Sequence, residues 1–159
     1  MGYTHCWKTS EPFTTQQWEG LKQFARTAIR MLPKHSESAG GFYKKAPLAV
    51  AMGVSAKRHI RIDGSGRYEG LDLSHESFVF ENVPTEFDFC KTARKPYDLV
   101  VCAVLIQARI LHPRGVTLST DGVAEDWLPA LEFHNRVVGS AVPPGSRQKA
   151  TLSDIVEGW

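Results

Sequence analysis

A chain of 159 residues, 42% apolar and 23% charged, is large enough to bury one core without disulfides or a structural metal. A net charge of +2 is too small and too scattered for a protein that grips nucleic acid through its phosphates, which argues against non-specific nucleic-acid binding. Three cysteines at no metal-binding spacing (Cys6, Cys90 and Cys102), no apolar signal core at the start and no membrane-length apolar run together predict a soluble cytoplasmic protein with free thiols.

Residues 2–8 alternate as a strand would, with Tyr3, His5 and Trp7 on one face. Helix punctuation follows. Thr14 suits an N-cap with Gln17 three places on, Phe13 can pack on Trp18, and apolar residues recur at helical spacing from Trp18 to Leu32 before Pro33. Residues 34–47 read as a loop, and 48–52 as an apolar segment that fits either a strand or one helical turn. His59 to Asp63 and Glu76 to Glu81 alternate as two strands of a hairpin joined by a long polar loop, residues 64–74. Phe87 to Cys90 is strand-like, and a basic knot of Lys91, Thr92, Arg94 and Lys95 comes next. An unbroken apolar run from Leu99 to Ile106 is too long for an ordinary strand and too short for a membrane span. It predicts a central helix over about 96–112, buried on most sides, with Pro96 in its first turn and the Asp98 carboxylate near its positive end. A brief strand at 116–119, the Asp121-Gly122 turn and an amphipathic helix from near Asp126 to Val138 complete a domain over residues 1–138. The helical spacing turns His134 inward on that last helix. Residues 139–159 then divide into a Pro/Gly linker and an apolar tail that docks on its own domain or on a second subunit. The expected fold is α+β: a small, mainly antiparallel sheet against two or three helices.

The strongest candidate for chemistry is the basic knot. Arg grips phosphate or carboxylate with two bonds, Lys adds a point charge, Thr a hydroxyl, and a helix N-terminus favours an anion. The same residues also suit a solvated loop, and no glycines form a Walker loop. The Tyr3/His5/Trp7 face suits core packing, or alternatively a platform on which a flat ring stacks. No HxH, HExxH or CxxC spacing occurs, so neither a metal site nor a cofactor is expected, and no nucleophile elbow accompanies the serines.

The opening GYTHCWK, the His75-Glu76-Ser77-Phe78 segment and the Phe89-to-Asp98 block FCKTARKPYD resemble a family of small bacteriophage and prophage proteins. Such proteins usually carry an aromatic where this chain has Cys6, which puts a ligand role for that position in doubt. The resemblance extends to about Asp126 and implies a phage accessory protein. Several small phage proteins sequester the nucleotide signals of bacterial immunity. By that analogy the expected function is non-enzymatic sequestration of a small anionic, nucleotide-like ligand, as an anti-defence sponge. Lys91, Thr92, Arg94 and Lys95 would hold phosphate, while Tyr3, His5, Trp7 and Tyr97 would meet the ring, in a homo-oligomer. The alternatives are a phosphodiesterase or related hydrolase using His5 or His75, and an inhibitor that binds a host protein.

Overall fold

Helix α1 (Thr15–Met31) begins where its punctuation says it should. The Thr14 side chain accepts from the Gln17 N–H, the Gln17 side chain accepts from the Thr14 N–H, and the Phe13 and Trp18 rings lie 5.9 Å apart. Its buried face carries Trp18, Leu21, Phe24, Ala25 and Ala28. The computed structural model describes residues 3–36, 43, 45–54, 58–141 and 149–156. Gly40 and Gly41 of the expected loop, and Pro143, Pro144, Gly145 and Trp159 of the expected linker and tail, lie outside the described residues.

Among the described residues, two three-stranded antiparallel sheets and a small two-stranded ladder accompany four helices, an α+β architecture. The first sheet has β1 (Thr4–Thr9) at its centre, between β7 (Thr85–Lys91) and β8 (Val116–Thr120). The second places β3 (His59–Ser65) between β2 (Ala49–Val54) and β6 (Phe78–Glu81). The expected hairpin is therefore the β3–β6 pair, with Ile60 opposite Phe80 and Ile62 opposite Phe78, and all four are fully buried. The connection is not a plain loop. It contains β4 (Arg67–Tyr68) and β5 (Leu71–Asp72), paired with each other.

Helix α2 (Asp98–Leu111) is the keel. Every residue from Leu99 to Ile106 is buried, and the helix packs on α1, on β8 and on α3 (Leu128–Ala141). Pro96, expected in its first turn, falls just ahead of it, and Tyr97 occupies the cap position. The amphipathic helix expected from near Asp126 opens instead as a 3₁₀ turn, Ala124–Trp127, and Pro129 then sits in the first turn of α3, where its missing N–H leaves no bond unmade. Residues 139–141, expected as linker, continue α3. The tail returns as a short helix, α4 (Leu152–Val156), which buries Ile155 against its own domain. Among the described residues no helix is long and apolar enough to cross a membrane.

Candidate functional site

The approach to α2 is a tight turn tied back to the start of β1. The N–H groups of Thr92 and Ala93 both donate to the Tyr3 carbonyl, at 3.0 and 3.3 Å. Ala93 and Arg94 take left-handed conformations (φ 52° and 55°), uncommon for residues with a Cβ, and two in succession store backbone strain that the surroundings must hold. That turn lays the Arg94 guanidinium over the Tyr3 ring, 3.9 Å from its centroid, and lets its fork meet both Asp126 oxygens at 3.3 and 3.2 Å. Arg94 in turn holds the Asp126 carboxyl below the usual carboxylate range. A Cβ at Gly122 would strike the Tyr3 ring and the Asp126 carboxylate, so only glycine lets the β8–α3 connection come this close.

Beside this group lies a cavity of about 210 Å³ lined by Tyr3, Arg94, Lys95, Asp98, Glu125 and Asp126, with Leu99, Pro129 and Ala130 as apolar wall. Of the eight residues expected to bind, three therefore line one cavity: Tyr3, Arg94 and Lys95. His5 and Thr92 lie behind its wall, each in contact with Asp98. The other three do not contribute to it. Trp7 is buried between Phe78 and Phe80, with centroids 5.3 and 5.8 Å away, so no ligand ring can stack on it. Tyr97 is buried with its hydroxyl donating to the Glu76 carbonyl at 2.7 Å. Lys91 is exposed at the end of β7, with Nζ 6.0 Å from the Phe89 ring. The Lys95 ammonium reaches back to the carbonyls of Asp72 and Ser74. His75, a candidate acid–base residue, is exposed and bonded through Nδ1 to the Lys91 carbonyl, apart from the cavity.

Asp98 is the group the sequence did not single out for the site. As the first residue of α2 it presents a carboxylate that is 21% exposed and faces the cavity. Its Oδ1 accepts from His5 Nε2–H at 2.6 Å and from the Thr92 hydroxyl. One helical turn on, the Cys102 thiol lies 3.7 Å from Oδ2 and 3.3 Å from His5 Nε2. His5 is fully buried, between the edges of Tyr3 and Trp127, and its Nδ1 is 3.2 Å from Thr120 Oγ1. Burial, and then the Asp98 charge, push the Cys102 thiol well up. Burial likewise raises the Tyr3 phenol.

No family model, curated protein or solved structure matches this chain.

The arrangement offers two chemical capacities. The cavity sets two cations against three carboxylates, a mixed lining suited to a ligand that carries both a negative group and hydrogen-bond donors. Behind it, His5, Asp98 and Cys102 gather nitrogen, oxygen and sulfur donors within 4.8 Å of one another, the one such group of three among the described residues.

Proposed function

We propose that the protein binds a small anionic, nucleotide-like ligand in the cavity beneath Arg94 and sequesters it without turning it over, as a phage accessory protein would. The observation that carries this reading is the preorganised guanidinium: a strained turn holds Arg94 over the Tyr3 ring, and its fork is paired with the Asp126 carboxylate on the cavity lining. A phosphate would compete with Asp126 for that fork, and Lys95, which lines the same cavity, would bring its ammonium over from the Asp72 and Ser74 carbonyls. Asp98 and Glu125 then accept from sugar hydroxyls or a base amino group, which accounts for carboxylates in an anion site.

At about 210 Å³ the cavity is smaller than the roughly 300 Å³ at which small-molecule sites usually begin, so much of a nucleotide would project from it. A second copy of the chain would cover that part. Helix α4 packs on its own domain, and the exposed Phe87 and Phe89 of β7, with centroids 5.8 Å apart, give an apolar surface for pairing among the described residues. The same two rings favour the reading as an inhibitor of a host protein. For the hydrolase, the favouring feature is Asp98, open to the cavity and backed by His5.

Denaturing the purified protein and identifying any released ultraviolet-absorbing compound by mass tests the proposal directly. A nucleotide panel followed by calorimetry and by chromatography of the mixture completes it. Binding without products is expected. Arg94→Ala and Lys95→Ala each weaken it by about 10–100-fold, the worth of one charged hydrogen bond, and Lys91→Ala leaves it unchanged. New products would establish the hydrolase instead. No bound compound and no thermal stabilisation by any nucleotide would overturn the ligand reading.

A further inference from the structure

The ligand reading leaves unused the donors behind Asp98. His5 Nε2, an Asp98 carboxylate oxygen and Cys102 Sγ form a mixed nitrogen, oxygen and sulfur set, the kind a borderline dication such as Zn²⁺ takes. Around a tetrahedral ion with bonds of about 2.0–2.3 Å, the donors stand roughly 3.3–3.8 Å apart. The separations of 3.3 Å from Sγ to Nε2 and 3.7 Å from Sγ to Oδ2 fall in that range. The other Asp98 oxygen, Oδ1, lies 2.6 Å from Nε2 across a shared proton, so an ion held by Oδ2 takes that proton's place on Nε2 while Oδ1 keeps the Thr92 hydroxyl.

The surroundings fit a ligated imidazole as well. Thr120 Oγ1 donates to the Thr4 carbonyl at 3.1 Å and accepts from the Gly122 N–H at 3.3 Å, which leaves one lone pair for a proton on His5 Nδ1, 3.2 Å away. An imidazole that gives its Nδ1–H to such a partner turns a bare Nε2 toward the ion. On the other side the Thr92 hydroxyl fixes the Asp98 carboxylate. Charge closes too, since a dication with one thiolate, one carboxylate and a neutral imidazole is neutral overall, as a buried site requires.

We infer that His5, Asp98 and Cys102 bind a zinc-class divalent cation. Binding releases the Cys102 thiol proton to solvent and moves the imidazole proton from Nε2 to Nδ1. Three protein ligands are the number found at zinc sites that keep a position open. Asp98 is the member of the set that lines the cavity, so the open position lies on that side.

The test uses the full chain, stripped with chelator and then titrated with Co²⁺ or Zn²⁺ with no nucleotide present, so that it stands or falls apart from the ligand reading. One equivalent of Co²⁺ is expected to give a thiolate-to-cobalt charge-transfer band and visible bands of four-coordinate cobalt, both displaced by Zn²⁺. Cys102→Ala abolishes the charge-transfer band, Asp98→Asn weakens metal binding, and Cys6→Ser changes neither. Should a variant fail to fold, the wild-type chain still decides: Zn²⁺ raises its melting temperature and shields Cys102 from alkylation under mild denaturant, mapped by mass. Absence of the band with no shielding by Zn²⁺, or a band that survives Cys102→Ala, overturns the site.

Discussion

Replacing Asp98 by alanine in chelator-treated protein measures how much one carboxylate holds together. His5 and Thr92 are both fully buried, and both donate to its Oδ1. Each donor left without an acceptor costs about 1–3 kcal/mol. The Cys102 contact at 3.7 Å is a weak S–H bond and adds little. Asp98→Ala is therefore expected to lose about 2–6 kcal/mol, a large part of the stability of an ordinary domain. Asp98→Asn keeps an oxygen for His5 but loses the charge, and since charge-assisted bonds are about twice as strong as neutral ones, its loss is about half as large. Urea denaturation followed by tryptophan fluorescence gives both numbers, with an unchanged m-value showing that the same surface is exposed on unfolding. A double-mutant cycle with Thr92→Val isolates the shared term, which for groups in one network is about 0.5–3 kcal/mol. An Asp98→Ala protein within about 0.5 kcal/mol of wild type would mean that neither buried donor depends on this carboxylate, and the site as described would be lost.

Two further outcomes bear on the frame. His134 is fully buried against Phe24, and burial pushes its imidazole from 6.5 down to about 4. The unfolded chain binds the extra proton in that window, so the stability owed to the neutral ring is complete above pH 6.5 and is lost, by about 3 kcal/mol, as pH falls toward 4. Urea midpoints of wild type and His134→Gln should converge across that range, and parallel curves would refute it. A Cβ at Gly64 would lie 2.5 Å from the Tyr97 ring and 2.6 Å from the Leu73 carbonyl. Gly64→Ala should thus cost about 1–3 kcal/mol of overpacking, read as a lowered melting temperature, while an unchanged one would show that the β3–α2 contact is loose.

What the sequence made legible was local. The Thr14/Gln17 box and the Phe13–Trp18 contact involve residues within five positions of each other, and the length of the 99–106 run alone marked a buried helix. The β4–β5 ladder escaped notice because strands of two residues carry no alternation. The central place of β1 escaped too, since its partners lie some 80 and 110 residues away, at a separation no local pattern encodes. The site divides in the same way. Arg94 and Lys95 stood out as a charge run. Asp126, which holds Arg94, lies 32 residues on, and His5 lies 93 residues from Asp98. A partial signal was present: Asp98 and Cys102 are four apart on one helix and so share a face. Asp98 also suits the positive end of a helix and Cys102 an apolar core, so neither residue alone marks the pairing. The Tyr3/His5/Trp7 face lies on one side of a strand, and of its two expected roles core packing holds while the open stacking surface does not, because Trp7 is enclosed by Phe78 and Phe80.

Asp98 ties the two proposals together through charge. Two cations against three carboxylates leave the cavity lining with one net negative charge, which opposes an anionic guest. A dication behind Asp98, with Cys102 ionised to hold it, adds one positive charge overall and brings that balance to zero. Within some 6–8 Å of the guest and at an effective dielectric near 20, removing one unit of repulsion is worth about 2–3 kcal/mol. Coupling of that size is reciprocal, so an anion that prefers the metal-loaded protein must in turn tighten the metal. The nucleotide panel is therefore run on chelated and on zinc-loaded protein alike, with tighter binding expected to the loaded form. A nucleotide that binds both forms equally places its negative group on the Arg94 side, beyond reach of Asp98.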